Sequence, residues 1–239
     1  MVLDRRGRDV GECGMFKKRF AFTVVGLLLS CPVFGQEKES LFNGKDLTGW
    51  DGDPRLWSVV EGVLVGETND GDKKVAPNTF LIWKGGEVAD FDFEMTARVQ
   101  GNNSGVQYRS KALPDVAKWS VGGYQMDMHP KQEYVAMLYE ERGRGIACLR
   151  GQKVTLEPGA KPEVTGKVPV PEVKLDEWNT YKISARRNLV QHFLNGELAA
   201  EITDNDPEKR SLKGILALQL HAGKPMWTEF KNIRVKHFE

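Results

Sequence analysis

Asp90-Phe91-Asp92-Phe93-Glu94-Met95-Thr96-Ala97-Arg98-Val99 alternates polar and apolar residues without a break. Successive side chains of an extended chain point to opposite faces, so this stretch has one apolar face and one polar face only as a β-strand. On a helix the same apolar residues would spread around the axis. The pattern returns in residues 178–186 through Tyr181, Ile183 and Ala185. Residues 189–194 and 197–203 flank Asn195-Gly196. That pair supplies the positive φ angles of a type I′ turn and predicts a hairpin. Residues 214–221 and 229–238 read as two more strands, and no stretch keeps a 3.6-residue period for three turns. Short strands at this spacing, separated by Gly, Asp, Asn and Pro, predict an all-β sandwich or jelly roll. Residues 151–177 contain Pro158, Pro162, Pro169 and Pro171 and read as a long surface excursion.

The other end of the chain carries a different signal. Met15-Phe16-Lys17-Lys18-Arg19 precedes the ten apolar or small residues FAFTVVGLLL at 20–29. That run is too short to span a bilayer, which takes about 20 residues. A basic start followed by a short apolar run is the pattern of an export leader, with Met15 as the expected start of translation. Val33-Phe34-Gly35 fits cleavage before Gln36. Leu28-Leu29-Ser30-Cys31 fits lipoprotein processing, with a lipid anchor on Cys31. The expected organisation is a leader over residues 1–35 and one domain over 36–239, exported to the periplasm or the exterior. Within 36–239 there are 28 basic and 30 acidic residues. So balanced a chain offers no broad field for nucleic acid. Once the leader is gone Cys148 is the one cysteine left, so the domain has no intrachain disulfide, and no CxxC spacing supports a cysteine zinc site.

Three strands share an unusual polar face. In residues 104–110, Val106 and Tyr108 lie on one side and Gln107 and Arg109 on the other. In 122–129, Tyr124, Met126 and Met128 oppose Gln125, Asp127 and His129. In 215–221, Leu216, Leu218 and Leu220 oppose Gln219 and His221. A solvated outer face is normally rich in Lys, Glu, Thr and Ser. These faces carry Gln, Arg, Asp and His, the groups that hydrogen-bond sugar hydroxyls. The alternation therefore predicts a hollow in which Gln107, Arg109, Gln125, Asp127, Gln219 and His221 converge. Trp119, in the approach to the 122–129 strand, is placed to stack on a sugar ring. His192, beside the Asn195-Gly196 turn, reads as structural, and Cys148 as a small buried apolar residue.

Seven segments in order resemble one family. They are Leu41-Phe42-Asn43-Gly44-Lys45-Asp46-Leu47-Thr48-Gly49-Trp50, Trp57-Ser58-Val59-Val60-Glu61-Gly62, Asn103-Ser104-Gly105-Val106-Gln107-Tyr108-Arg109, Gly123-Tyr124-Gln125-Met126-Asp127-Met128, Leu138-Tyr139-Glu140-Glu141, Glu177-Trp178-Asn179-Thr180-Tyr181, and the closing Gly214–His221 with Phe230-Lys231-Asn232-Ile233. Across residues 40–238 the chain resembles the 3-keto-disaccharide hydrolase domain, the domain of unknown function 1080. The resemblance implies a two-sheet antiparallel jelly roll of the concanavalin-A type and hydrolysis of the glycosidic bond in 3-keto sugars.

The residues themselves argue against an ordinary two-carboxylate glycosidase on the 122–129 strand. Jelly-roll glucanases carry E-x-D-x-E or E-x-D-x-x-E on a central strand. Here the comparable string is Gln125-Met126-Asp127-Met128-His129, and an amide cannot form a glycosyl ester. A 3-keto sugar needs less, because its carbonyl acidifies the C2 proton. The route needs a base at C2, a partner for the C3 oxyanion and an acid for the leaving oxygen. His221 or Asp127 is the expected base, Arg109 the oxyanion partner, and Glu140 or Glu141 the acid. Gln107, Gln125, Gln219, Trp119 and Tyr139 are the expected substrate contacts. A divalent metal on Asp127, His129 and a Glu is the alternative electrophile to Arg109, although the spacing is not diagnostic of one. A non-catalytic carbohydrate-binding module with the same hollow is the competing function.

Overall fold

A computed structural model describes residues 37–238. The leader expected over residues 1–35, with Cys31, lies outside the described residues. Within them the chain forms seventeen strands and one 3-10 turn, Gln132–Tyr134, with no α-helix. The strands build two layers. A ten-stranded sheet runs Glu163–Lys167, Gln152–Leu156, Glu197–Asp204, Leu189–Leu194, Asn179–Arg186, Asp90–Gln100, Met226–Phe238, Val63–Thr68, Trp57–Val60, with Glu39–Ser40 added beside Met226–Phe238. A seven-stranded sheet runs Gly145–Cys148, Leu138–Glu141, Val121–Met128, Ser104–Ala112, Ile215–Leu220, Thr79–Trp83, Trp50–Asp51. This is the two-sheet jelly roll that the alternation and the resemblance predict.

The opening stretch behaves as its pattern requires. Asp90–Gln100 alternates half-exposed and buried residues along its length. Phe91, Phe93, Met95, Ala97 and Val99 enter the space between the sheets, where they meet Val106, Tyr108, Tyr124 and Met126 from the other layer. Each large apolar side chain removed from water there contributes roughly 1.5–3 kcal/mol. Asn195 and Gly196 sit at φ 51° and 88°, as a type I′ hairpin demands. Residues 151–177 are less loose than their prolines suggest. Gln152–Leu156 and Glu163–Lys167 form a hairpin on the sheet edge, and Gln152–Leu156 lies parallel to Glu197–Asp204. Pro158, Pro162, Pro169 and Pro171 all fall outside these two strands, so they remove no donor from the ladder.

Polar struts cross the apolar interior. Tyr108 donates its hydroxyl to His192 Nε2 at 2.7 Å, and His192 Nδ1 donates to the Ala136 carbonyl at 3.0 Å. Ala136 can only accept, so the ring proton is on Nδ1 and the ring is neutral. Burial pushes His192 down to about 4. In the unfolded chain it titrates near 6.5. Between those values the unfolded chain takes up a proton that the fold refuses. The contribution of His192 is therefore full above pH 6.5 and falls by about 3 kcal/mol on acidification to pH 4. Denaturant titrations at pH 7 and pH 4 should find this loss as the difference between wild type and a His192→Gln variant, because every other titrating group is common to the two.

Candidate functional site

The outer face of the seven-stranded sheet carries a hollow of about 320 Å³, at the lower end of the range for ligand pockets. Register explains its floor. Gln107 lies opposite Gln125, and Gly105 lies opposite Asp127, on the paired strands Ser104–Ala112 and Val121–Met128. On the other flank Ala217 pairs with Gln107, which brings Gln219 and then His221 to the same face. A Cβ on Gly105 would stand 2.8 Å from the Gln125 side chain. Only glycine lets Gln125 lie across the strand toward its neighbours.

A continuous hydrogen-bond chain runs over this floor. Ser110 donates its hydroxyl to Gln107 Oε1 at 2.6 Å. Gln107 Nε2 donates to Gln125 Oε1 at 2.8 Å. Gln125 Nε2 donates to Asp127 Oδ1 and, at 3.4 Å, to Gln219 Oε1. Gln219 Nε2 is buried without a partner. Burial pushes the Asp127 carboxyl up to about 7, the Gln125 bond pulls it back in part, and the charge of Glu141 adds a further push.

Two histidines line the hollow in complementary tautomers. His221 Nδ1 lies 2.7 Å from the Ala222 carbonyl, which can only accept, so Nδ1 carries a proton and Nε2 is the basic nitrogen of the neutral ring. The Asn102 amide nitrogen, 3.4 Å from the same Nδ1, is the weaker neighbour. His129 Nδ1 accepts the Lys131 backbone N–H at 3.1 Å, which leaves its proton on Nε2. Burial and the nearby Lys131 hold His129 below its ordinary range. Tyr139 and Glu141 stand on the Leu138–Glu141 side, and Asn78 Nδ2 donates to Glu141 Oε2 at 3.3 Å. The Tyr139 phenol is raised by burial and by the carboxyls of Glu141 and Asp127. Among the described residues no group of three His, Cys, Asp or Glu is arranged to hold a metal ion, although Asp127 and His129 both line the hollow.

Of the six side chains expected to converge, Gln125, Asp127, Gln219 and His221 line the hollow, while Gln107, expected to touch substrate, is buried behind Gln125 and bonded to it. Arg109 does not line it. A bulge between Tyr108 and Lys111 sets Arg109 at φ 47°, which breaks the alternation and turns its side chain away. Its guanidinium is buried against the Ala89 and Arg187 carbonyls and Asp90. Ser110 takes the place on the hollow side that strict alternation reserved for Arg109.

Glu140 and Glu141 separate, as neighbours on a strand must. Glu140 points between the layers, where Arg144 pairs it with Asp204 beside the Tyr124 hydroxyl. Trp119 lines a neighbouring depression that shares Asn78 with the hollow. Its Nε1 donates to Asp51 at 2.9 Å, and Lys118 covers its ring. Asn78, Asn103 and Tyr134 line the hollow and were not singled out from the sequence. Asn103 was legible, since 103, 105 and 107 share a face at a period of two. Asn78 precedes the Thr79–Trp83 strand, which the sequence reading did not recognise.

Comparison with known proteins adds to this geometry. The family profile described as 3-keto-alpha-glucoside-1,2-lyase-like domain matches residues 37–236. No curated protein matches the sequence. Three solved structures are similar in fold. A Parabacteroides distasonis protein provisionally described as a glycosyl hydrolase is 22% identical, with a TM-score of 0.53 over 83% of this chain and 93% of that one. The β-glucanase of Bacillus licheniformis is 12% identical, with a TM-score of 0.54 over 86% and 100%. The carbohydrate-binding module CBM66 of Bacillus subtilis is 15% identical, with a TM-score of 0.51 over 79% and 95%. At these identities the likeness is one of fold.

Proposed function

This chain belongs to the 3-keto-alpha-glucoside-1,2-lyase-like domain family, and from that premise we propose that it breaks the glycosidic bond of a 3-keto sugar by elimination followed by hydration. The family makes it a carbohydrate-active domain. The observation that carries the finer reading is the floor of the hollow. It offers one carboxyl raised to about 7, in a row of amides, in the same hollow as His221, whose Nε2 is the basic nitrogen of the neutral ring. Displacement at a sugar carbon calls for two carboxyls flanking the bond, and the second carboxyl of this hollow, Glu141, stands on its wall bonded to Asn78 Nδ2. Proton transfer at a ketone calls for one base, one acid and donors to an oxygen.

In this reading His221 Nε2 takes the proton from C2. The C–H electron pair forms the C2–C3 double bond and moves charge onto the C3 oxygen, which amide N–H groups of the floor receive. The enolate then re-forms the C3 carbonyl and expels the C1 oxygen substituent, leaving a C1–C2 double bond. Asp127, protonated through Oδ2 while Oδ1 accepts from Gln125, gives its proton to the departing oxygen. Water adds to C1 as Asp127 takes one of its protons, and His221 returns a proton to C2. The sum is hydrolysis with both residues restored. In an α-glucoside the C2 hydrogen and the C1 oxygen are axial on opposite faces of the ring, so the acid and the base act from two sides. Arg109 and Glu140 have no part in this scheme.

Two observables test it. Incubation in D2O with a 3-keto-disaccharide and its unoxidised parent should cleave only the keto sugar and place deuterium at C2 of the released keto unit. Comparable cleavage of the parent, or cleavage without deuterium, refutes elimination. Binding without cleavage supports the carbohydrate-binding module instead. Because Asp127 must carry its proton, kcat/KM should decline tenfold per pH unit above about 7. The basic start and short apolar run of residues 15–35 support export, so the reaction is placed outside the cytoplasm. An intact Met1 in protein purified from its native host would refute that.

A further inference from the structure

The amide chain has a direction, and that direction reaches further than its contacts. At one end Asp127 Oδ1 accepts from Gln125 Nε2, an arrangement that holds with the acid ionised or with its proton on Oδ2. Gln125 then shows its oxygen to Gln107, which must answer with nitrogen. The Gln107 oxygen is met by the Ser110 hydroxyl at the other end. The second N–H of Gln125 faces the Gln219 oxygen, so the Gln219 nitrogen is left without a partner. Turning Gln125 round would set its oxygen against the Asp127 and Gln219 oxygens and its nitrogen against the Gln107 nitrogen. Turning Gln107 round would set oxygen against the Gln125 oxygen, and turning Gln219 round would set nitrogen against the Gln125 nitrogen. Gln107 and Ser110 are buried and do not line the hollow, whereas Gln219 does.

We propose that Gln107 and Ser110 are positioning residues whose hydrogen bonds, passed through Gln125, hold the Gln219 amide nitrogen as the donor to the oxygen that gains negative charge at C3. The proposal rests on the keto-sugar reading above and assigns the oxyanion partner that Arg109 does not provide. A buried donor with no protein acceptor is an uncommon cost in a native fold. It is what an oxyanion site requires, since the donor is in place before the charge develops. The relay also acts on Asp127, because a donor that stabilises the carboxylate lowers its pKa. The other groups facing Asp127 are Glu141 and Tyr139 from Leu138–Glu141, His129 and Tyr134 from the chain beyond its own strand, and His221 from the end of Ile215–Leu220. Ser104–Ala112 presents only Gln107 and Gly105 to it. None of these is altered by a neutral change at Gln107.

The full chain is tested first without substrate. Carbon-13 NMR titration of the Asp127 carboxyl should place its pKa about one unit higher in Gln107→Met than in wild type, because Gln125 is no longer pinned as a donor. An unchanged titration overturns the relay, whatever the enzyme does. With a 3-keto-disaccharide as probe, Gln219→Met should lower kcat about 100-fold and move KM by no more than about threefold. Gln107→Met should lower kcat about tenfold alone and not at all in the Gln219→Met background. Losses that multiply in the double variant overturn the positioning role. A rise in KM with kcat kept overturns the donor role. Should Gln107→Met fail to fold, Gln107→Glu decides. Its neutral acid donates to Gln125 as the amide did and its ionised form cannot, so its activity relative to wild type should fall as pH rises, and a flat ratio refutes the proposal. If wild type leaves the keto sugar intact, the functional reading falls and the titration still judges the relay.

Discussion

Asp127→Asn should be nearly inactive and more stable than wild type at pH 8. The activity loss follows from removing the proton that Asp127 gives to the leaving oxygen, and general acid catalysis is commonly worth about 100- to 10,000-fold. The stability gain follows from the same burial that raises Asp127 to about 7. In the unfolded chain this carboxyl ionises near 3.9. Between pH 4 and 7 the fold therefore binds a proton that the unfolded chain has released, and stability declines as pH rises through that window. Above pH 7 the full penalty is present, with a ceiling of about 4 kcal/mol. Asparagine carries no charge to bury, and its Oδ1 can still accept from Gln125. Thermal unfolding at pH 8 should move up by about 5–10 °C and at pH 4 hardly at all.

His192 gives the experiment an internal reference, because its slope has the opposite sign over nearly the same range. In the wild type the two groups offset one another between pH 4 and 6.5. In Asp127→Asn the His192 contribution stands alone, so the variant should gain stability on going from pH 4 to pH 7 while the wild type stays nearly level in these two terms. A variant that is inactive yet no more stable at pH 8 would mean that Asp127 is ionised without strain in the native hollow. The acid role would then be lost with it.

The parts of this molecule that were legible in the sequence are those governed by strict alternation. Asp90–Gln100 and the Asn195-Gly196 hairpin could be read because each side chain's face follows from parity and each turn from its φ requirement. The same parity brought Gln125, Asp127, Gln219 and His221 to one face. It failed at Arg109, where one extra residue resets the count. A bulge leaves no mark in composition, since Tyr108-Arg109-Ser110 is an acceptable strand sequence. Glu140 and Glu141 were separable by parity alone. Tyr139 and Glu141 share a face, and Glu140 belongs to the interior with Arg144 and Asp204. Trp119 and Asn78 were beyond reach because their places depend on how loops fold over the sheet, which local pattern does not encode. The hydrogen-bond direction of the floor was equally hidden. It depends on which strands are neighbours, and Gln219 lies 94 residues from the Gln125 it meets.

Arg109 leads to the second large effect, which should fall on folding and spare the chemistry. Its side chain is 1% exposed and is spent entirely on tethering. Nε donates to the Ala89 carbonyl at 2.8 Å, Nη1 to the Arg187 carbonyl at 2.6 Å, and Nη2 to Asp90 at 3.0 Å. Those partners lie at the start of Asp90–Gln100 and just beyond Asn179–Arg186, both in the ten-stranded sheet, whereas Arg109 belongs to the seven-stranded one. One guanidinium thus joins the two layers. Arg109→Met keeps the aliphatic stem and removes every donor. It leaves the Ala89, Arg187 and Ser211 carbonyls and the partly exposed Asp90 carboxylate without those donors, and breaking a buried ion pair on one side costs at most about 3–5 kcal/mol. At this chain length that corresponds to a fall in melting temperature of about 6–15 °C. The fraction that remains folded at low temperature should turn over keto substrate within about threefold of wild type, since no step needs the guanidinium. A variant that melts normally but loses about 100-fold in kcat would place Arg109 in the chemistry after all. That would require the bulge at Tyr108 to open in the substrate complex, returning the side chain to the face that parity first gave it.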